Sequence, residues 1–179
     1  MTPTELTAAV SRRIQTARPL LIAVDGMYAS GKSTWAKRFC AGASVPLVHI
    51  DDFFRPAGAD GIPVDAERFL AEVIQPFEAG KAITYRPFSC QRQVWEDAVS
   101  IPPTDILMVE GVYCLHPLLR PHYGLTVFFT IDPETQKKRI LARNGGIYLR
   151  RFLEEWIPNE HRYFETYGIK ASCGLLAEG

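Results

Sequence analysis

The segment at residues 26–33, G-M-Y-A-S-G-K-S, constrains the chain more than any other, because it follows an apolar run, LLIAV, at residues 20–24. Its spacing matches the G-x-x-x-x-G-K-[ST] phosphate loop. Gly26 and Gly31 permit backbone conformations that a Cβ would obstruct, so that successive N–H groups and a helix N-terminus can converge on an anion. Lys32 would place a positive charge beside the β- and γ-phosphates of a nucleotide, and Ser33 would offer an oxygen to Mg²⁺.

We therefore predict that this loop, a Walker A motif, binds a nucleoside triphosphate together with Mg²⁺. The nucleotide is taken to be ATP, with GTP left open. A glycine turn carrying an exposed lysine is the alternative interpretation. The residues predicted to bind the nucleotide are Gly26, Met27, Tyr28, Ala29, Ser30, Gly31, Lys32, Ser33 and Thr34.

Four apolar runs of strand length indicate an α/β fold, and they lie at residues 20–24, 45–50, 106–110 and 125–131. Each run is nearly continuous rather than alternating, as expected for strands that are buried on both faces of a parallel sheet. Helical patterns are found at residues 2–16, 33–41, 66–79 and 133–143. The alternation of strand and helix predicts a doubly wound sandwich, with a loop at residues 56–63 beside the sheet edge where ligands bind.

Composition limits the size of the fold and the class of partner. The chain has 179 residues, of which 47% are hydrophobic, and this favours one domain spanning residues 1–179. A formal net charge of zero gives no support for nucleic acid or an acidic membrane surface as partner. We expect a cytoplasmic protein, because the sequence shows no signal peptide or membrane span and its four cysteines are scattered like reduced core thiols.

Two carboxylates, Asp51 and Asp52, come directly after the second apolar run in the sequence "DDFF". A kinase that phosphorylates a small molecule needs a carboxylate within hydrogen-bond reach of the attacking hydroxyl. We predict that Asp51 is this base, with Asp52 as the alternative. Both acids could instead cap a turn.

The third apolar run ends in Glu110 and Gly111. A charge at the end of a buried strand is costly unless it is paired, hydrated or bound to a metal. Glu110 therefore suits a Walker B acid, and the predicted magnesium ligands are Ser33, Glu110 and Asp51. A carboxylate satisfied by loop N–H groups is the alternative.

Residues 136–151 contain six basic residues and no acid. Arg139 and Arg143 lie one helical turn apart and can project from one face, where they would stabilise charge on a moving phosphoryl group. The sequence "RNGG" at residues 143–146 interrupts the helical pattern. We predict a lid at approximately residues 139–151, completed by Arg150 or Arg151; a solvated helix face is the alternative.

The combination of motifs resembles the uridine kinase-like family of P-loop kinases, which also holds nicotinamide riboside kinases and lies near phosphoribulokinase. The motifs that carry this resemblance, over residues 18–175, are "DGMYASGKST", "HIDDFF", "TYRPFSC", "MVEGVYCLHP" and "FFTIDPETQKKRILARNG". The resemblance implies a P-loop NTPase sandwich with a five-stranded parallel sheet, Mg²⁺ with ATP or GTP as donor, and a hydroxyl acceptor. It also implies that Asp51 is the general base.

The same resemblance suggests where the acceptor binds. Asp65 matches an aspartate that contacts ribose hydroxyls, and Tyr85 lies where the family has an aromatic residue beside the base. Asp65 could instead be only a helix cap, and Tyr85 a packing residue. The predicted acceptor site comprises Asp51, Phe54, Asp65, Tyr85, Arg86 and Phe88.

The chain departs from this family in the acceptor segment. The family's uridine and cytidine kinases commonly have an acid after the tyrosine and a nearby histidine, whereas "TYRPFSCQRQ" has Arg86 and no histidine. The acceptor is therefore left open among a nucleoside, nicotinamide riboside, pantothenate and a sugar, as is the oligomeric state.

A guanine-nucleotide switch is disfavoured because the sequence has neither N-K-x-D nor D-x-x-G. A nucleotide-binding regulatory module without activity remains the second class of function. Trp156, Tyr163 and Phe164 are expected to be packing residues of a helix.

Overall fold

The computed structural model describes residues 1–56, 61–90 and 92–179. A five-stranded sheet lies at its centre, with all neighbouring strands parallel. In chain order the strands of the described residues are β1 Leu20–Gly26, β2 Leu47–His49, β3 Ile83–Tyr85, β4 Phe88–Ser89, β5 Val94–Trp95, β6 Val99–Ile101, β7 Ile106–Glu110, β8 Leu125–Thr130 and β9 Leu175–Glu178. The central sheet has the order β2-β7-β1-β8-β9, so β1 is its middle strand.

The helices cover both faces of this sheet. They are α1 Pro3–Thr16, α2 Lys32–Ala43, α3 Ala66–Phe69, α4 Gln75–Glu78, α5 Pro133–Arg151 and α6 Ile157–Thr166. A π-helical segment, Leu70–Ile74, joins α3 to α4, and a second one, Phe152–Trp156, joins α5 to α6. Short 3-10 turns occur at Ile50–Phe53, Arg120–His122 and Lys170–Ser172.

Alternate residues of β1 belong to different cores, which is the direct sign of a three-layer sandwich. Ile22 and Val24 pack with residues of α1 and α2, whereas Leu21 and Ala23 pack with residues of α3, α4 and α6. Side chains that alternate along a strand point to opposite faces, so a strand apolar at every position needs a cover on both sides. The predicted P-loop NTPase sandwich is confirmed.

Local capping explains where two helices begin. Thr2 caps α1 in a full capping box with Glu5, and Pro3 occupies the first turn. Asp132 caps α5 by accepting a hydrogen bond from the Thr135 N–H. Both starts agree with the sequence pattern.

Three elements differ from the sequence expectation. Strand β2 is only three residues long, because Ile50 already begins the 3-10 turn that carries the two aspartates. Helix α5 extends to Arg151 rather than residue 143, although Gly145 interrupts it with φ 80° and ψ 172°. Strand β9 was missed because it is an edge strand in which one of four residues is buried, so its apolar signal is short.

Four further observations bear on the earlier expectations. All four cysteines are free thiols, and Cys40 and Cys114 are buried, but Cys90 is exposed and so is not a core thiol. Residues 57–60 of the predicted loop lie outside the described residues. Within the described chain, no helix is both long and apolar enough to cross a membrane. Across residues 1–56, 61–90 and 92–179 there is also no cluster of three or more His, Cys, Asp or Glu side chains arranged to hold a metal.

Candidate active site

The glycine-rich loop connects the C-terminal end of β1 to the N-terminus of α2. Gly26 has φ 137°, and a Cβ at this position would collide with the backbone of Phe129 on β8. The Met27 N–H donates to the Phe129 carbonyl over 3.0 Å, which ties the loop to that strand. Gly31 has φ 90° and forms the N-cap of α2, so the free N–H groups of the first helical turn face the loop. Both glycines therefore occupy positions whose positive φ angles favour glycine over other residues.

Lys32 folds back over this loop instead of extending into solvent. Its side chain is buried, its Nζ lies 3.4 Å from the Met27 carbonyl oxygen, and it lies 5.7 Å from the centre of the Tyr28 ring. The alternative of an exposed lysine on a glycine turn is wrong. The Lys32 ammonium group therefore places a positive charge on the concave side of the loop.

Ser33 and Glu110 meet at the C-terminal edge of the sheet. The Ser33 hydroxyl donates to Glu110 Oε2 over 2.9 Å, and His49 Nδ1 lies 2.5 Å from Glu110 Oε1. Burial by itself would raise the pKa of Glu110, but the His49 hydrogen bond and charge, the Lys32 charge and the Ser33 hydroxyl together lower it. The carboxylate is therefore held ionised by side chains, not by loop N–H groups.

The donor set at Ser33 and Glu110 fits a magnesium ion. Mg²⁺ prefers oxygen ligands and is usually held by one or two protein groups, with water and phosphate completing the shell. A hydroxyl and an ionised carboxylate within 2.9 Å of each other provide two such oxygens. His49, on the far oxygen of Glu110, would orient that carboxylate as an outer-shell partner.

The two aspartates after β2 point in different directions. Asp51 is solvent-accessible and faces Gly111, whose φ of 130° allows the end of β7 to lie close to Ile50. Desolvation by the surrounding protein raises the pKa of Asp51 to about 6; the Glu110 charge adds to this rise and the Lys32 charge opposes it. Asp52 instead accepts a hydrogen bond from the Tyr85 hydroxyl over 3.1 Å.

Lys32, Ser33 and Asp51 line one cleft of about 810 Å³. Its walls come from the loop, the start of α2, the ends of β2 and β7, and α5. The chemically relevant lining residues are Tyr28, Ala29, Ser30, Gly31, Lys32, Ser33, Thr34, Asp51, Gly111, Arg139 and Arg143. The structure thus brings the predicted base, the loop lysine and two arginines to one cavity.

The basic segment of α5 lies over this cleft. Arg139 Nη1 donates to the Ala29 carbonyl over 3.2 Å, whereas Arg143 Nε donates to the side chain of its neighbour Asn144. Arg150 and Arg151 each pair with a glutamate four residues further along, Glu154 and Glu155. Arg139 and Arg143 both line the cleft.

Solved structures with the same architecture identify the fold. The chain matches a possible uridine kinase from Bacillus stearothermophilus with a TM-score of 0.71 and 19% identity, covering 98% of both chains. It matches a candidate fructose transport system kinase from Silicibacter sp. TM1040 with a TM-score of 0.75 and 20% identity, again covering 98% of both chains. A third match is YFH7 from Saccharomyces cerevisiae, a candidate P-loop kinase with a circular permutation, with a TM-score of 0.69, 12% identity and coverage of 99% and 98%.

The chain has the P-loop kinase fold. At these identities the likeness concerns the fold, and it agrees with the motif resemblance described above. No protein-family model matches the sequence.

Five of the six predicted acceptor residues are not among the residues that line the cleft of this P-loop kinase fold. The Phe54 and Phe88 rings are nearly parallel, with centroids 6.4 Å apart. Asp65 caps α3 by accepting from the Arg68 N–H over 3.0 Å, so it does have the cap role. Tyr85 is buried and held by Asp52, and Arg86 Nε donates to the Glu96 carbonyl over 3.0 Å. Of the six predicted residues, Asp51 lines the cleft itself.

Sequence reasoning missed several polar residues behind the P-loop of this fold. Asp25 is fully buried, accepts from the Gly26 and Leu115 N–H groups at 2.7 and 3.1 Å, and accepts from the Tyr163 hydroxyl at 2.9 Å. Asp25 follows an apolar run directly, so an acid at the end of a buried strand was the available signal, as it was for Glu110.

Glu160, Gln136 and His49 gave no comparable signal, because their partners are distant in sequence. Glu160 contacts Tyr28 across 132 positions, and His49 contacts Glu110 across 61. The aromatic residues of the C-terminal helix do pack as expected: Trp156 lies on Phe152 and Phe164 on Phe128. Tyr163 packs on Tyr113 but also donates to Asp25.

Proposed function

We propose that this protein is a small-molecule kinase that transfers the γ-phosphoryl group of ATP to a hydroxyl group. The observation that carries the proposal is the convergence of Lys32, Ser33 and Asp51 on one cleft, with Glu110 bound to Ser33. A phosphate loop alone would suit any P-loop nucleotide-binding protein. The carboxylate of Asp51, accessible in that cleft, is the added group that a hydroxyl acceptor requires.

In this mechanism the loop N–H groups and Lys32 hold the phosphates. Asp51 removes the proton from the acceptor hydroxyl as its oxygen attacks the γ-phosphorus in line, and the bond to the bridging oxygen breaks to release ADP. Arg139 and Arg143 stabilise the negative charge on the transferred group. Mg²⁺, held by Ser33 and Glu110, with Asp51 as a further candidate ligand, would neutralise charge on the β- and γ-phosphates. Most of the acceleration then comes from positioning.

The acceptor is proposed to be a nucleoside or a metabolite of similar size, in the manner of the uridine kinase-like proteins. The support is the cluster beside Asp51, where the rings of Phe54 and Phe88 and the carboxylate of Asp52 offer apolar faces and hydroxyl-binding oxygens. Nicotinamide riboside, pantothenate or a simple sugar is the alternative acceptor. A soluble, cytoplasmic location is part of the same proposal.

An assay of ADP release over a panel of acceptors tests this function. The panel contains uridine, cytidine, nicotinamide riboside, pantothenate and simple sugars, with ATP and GTP as alternative donors. We expect acceptor-dependent ADP release that requires Mg²⁺. Tight ATP binding without release for any acceptor would instead favour a nucleotide-binding regulatory module.

A further inference from the structure

Tyr28, in the middle of the phosphate loop, is held at both of its peptide groups by side chains from the C-terminal helices. Its N–H donates to Glu160 Oε2 over 2.8 Å, and its carbonyl accepts from Gln136 Nε2 over 3.0 Å. Its ring packs edge-to-face on Phe152 with centroids 5.3 Å apart. Gln136 lies in the first turn of α5, Phe152 lies in the π-helical segment and Glu160 lies in α6, so three elements converge on one loop residue.

Glu160 and Gln136 are also bonded to each other. Gln136 Nε2 donates to Glu160 Oε1 over 3.3 Å, which uses both of its hydrogens, since the other goes to the Tyr28 carbonyl. Glu160 is fully buried and Gln136 is 3% exposed. A buried carboxyl group is costly unless its oxygens are satisfied, and here each oxygen accepts one hydrogen bond.

The position of this pair in the fold bears on nucleotide binding. The residue after Tyr28 is Ala29, whose φ is 58° and whose carbonyl accepts from Arg139. A non-glycine residue at positive φ persists only when its surroundings hold it there. The peptide groups on both sides of Tyr28 are fixed, and the strained residue follows directly.

We propose that Glu160 is a positioning residue that, with Gln136, clamps Tyr28 and keeps the phosphate loop in its nucleotide-binding shape. This inference rests on the proposed function, because the loop must bind a nucleotide for its shape to matter. Glu160 does not touch the cleft and acts through the Tyr28 backbone.

The geometry requires two acceptor oxygens at position 160, one for the Tyr28 N–H and one for the Gln136 amide. In Glu160→Gln one oxygen becomes an amide nitrogen, which must face either the Tyr28 N–H or the Gln136 amide nitrogen. Two donors then oppose each other in a buried site. Gln136 cannot turn over to relieve this, because its carbonyl oxygen would then face the Tyr28 carbonyl.

The test compares Glu160→Gln with Glu165→Gln, the same change at an exposed residue of α6. The dissociation constant of ADP in the presence of Mg²⁺ is measured by calorimetry at a temperature where both variants are folded. We expect it to rise about tenfold or more in Glu160→Gln and to stay within twofold of wild type in Glu165→Gln. Hydrogen exchange in residues 26–33 should accelerate in Glu160→Gln, while exchange in β7 stays unchanged.

A purely structural role for Glu160 predicts a different result. The melting temperature of Glu160→Gln would then fall while its ADP dissociation constant and loop exchange matched wild type, and that outcome overturns the clamp alone. Wild-type protein that binds neither ADP nor ATP would overturn the proposed function and the clamp with it. Should Glu160→Gln not fold, Gln136→Met, which keeps the side-chain volume and removes both donors, must show the same weakening of ADP binding.

Discussion

Asp51 and Asp52 are neighbouring residues of one type whose side chains have different contacts in the folded protein. A 3-10 turn has three residues per turn, so consecutive side chains project about 120° apart. Asp51 thereby faces Gly111 in the cleft, while Asp52 turns toward Tyr85 in the neighbouring cluster. The sequence "DDFF" does not show which acid faces the cleft. In the folded turn Asp51 lines the cleft and Asp52 contacts Tyr85.

We predict that Asp51→Asn lowers kcat by about 10²- to 10⁴-fold, because the amide cannot accept the proton of the attacking hydroxyl. ATP binding should be retained. Steady-state kinetics with the best acceptor and calorimetry with ATP measure the two effects. The matched variant Asp52→Asn should chiefly raise the KM of the acceptor, and near-normal turnover of Asp51→Asn would remove Asp51 as the base.

Helix α5 combines a fixed N-terminal part with a basic segment that lies over the cleft. Gln136 and Arg139 are bonded to the phosphate loop, whereas Arg143 contacts its neighbour Asn144. Gly145 then breaks the helical geometry. The interruption lies between the arginines that line the cleft and Arg150 and Arg151, which pair with glutamates of the following π-helical segment.

We predict that Arg143→Ala lowers kcat by about 10²-fold or more, since it removes a cation that we propose stabilises the moving phosphoryl group. Arg150→Ala is the control, because Arg150 is exposed and pairs with Glu154 of the following π-helical segment. Its kcat should stay within about twofold of wild type, and steady-state kinetics provide the comparison. Equal losses in both variants would show that general basic charge, and not Arg143 in the cleft, is what matters.

Gly145 and its neighbour provide a matched test of the interruption itself. Gly145 has φ 80° and ψ 172°, a conformation almost confined to glycine, so Gly145→Ala should lower the free energy of unfolding by about 1–3 kcal/mol. Gly146 lacks a positive φ, and a Cβ there would meet nothing within 4 Å. Gly146→Ala should therefore raise the free energy of unfolding by up to about 1 kcal/mol. Urea denaturation measures both values, and changes of the same sign would contradict the interruption.

At the scale of the whole molecule, two buried acids lie beneath the loop of a nearly neutral chain. Burial raises the pKa of Asp25 to about 6 and that of Glu160 to about 8, while hydrogen bonds and the Lys32 charge oppose both shifts. Each acid therefore binds its proton more tightly in the folded state than in the unfolded chain. Folding should consequently become less favourable as pH rises through these values.

We predict that the free energy of unfolding falls between about pH 4.5 and 8, with Glu160 contributing at most about 1.4 kcal/mol per pH unit. The penalty is absent below the unfolded pKa of the carboxyl group and complete above about pH 8. Glu160→Gln should flatten this part of the profile in urea denaturation from pH 4.5 to 8.5, and Glu165→Gln should not. A difference between wild type and Glu160→Gln that is constant with pH would contradict the assignment.

The phosphate loop, the apolar strands and the acids at their ends could be predicted because each is a local pattern. A strand buried on both faces must be apolar throughout, and a turn at positive φ requires glycine, so the residues that satisfy these needs are visible in the sequence. The same local patterns single out Asp51, Glu110 and the arginines of α5 as candidate site residues. It missed β9, whose single buried residue leaves almost no pattern.

The sequence by itself therefore determined the sandwich, the glycine-rich loop with Lys32, and which charges stand at the sheet edge. Only the tertiary structure decided which partners those charges have. It joined Ser33 to Glu110, gave Asp52 to Tyr85, and placed Glu160 on the backbone of Tyr28. The physical reason is that a hydrogen bond between residues 33 and 110, or 28 and 160, depends on how the chain packs around the sheet, and no local spacing records that.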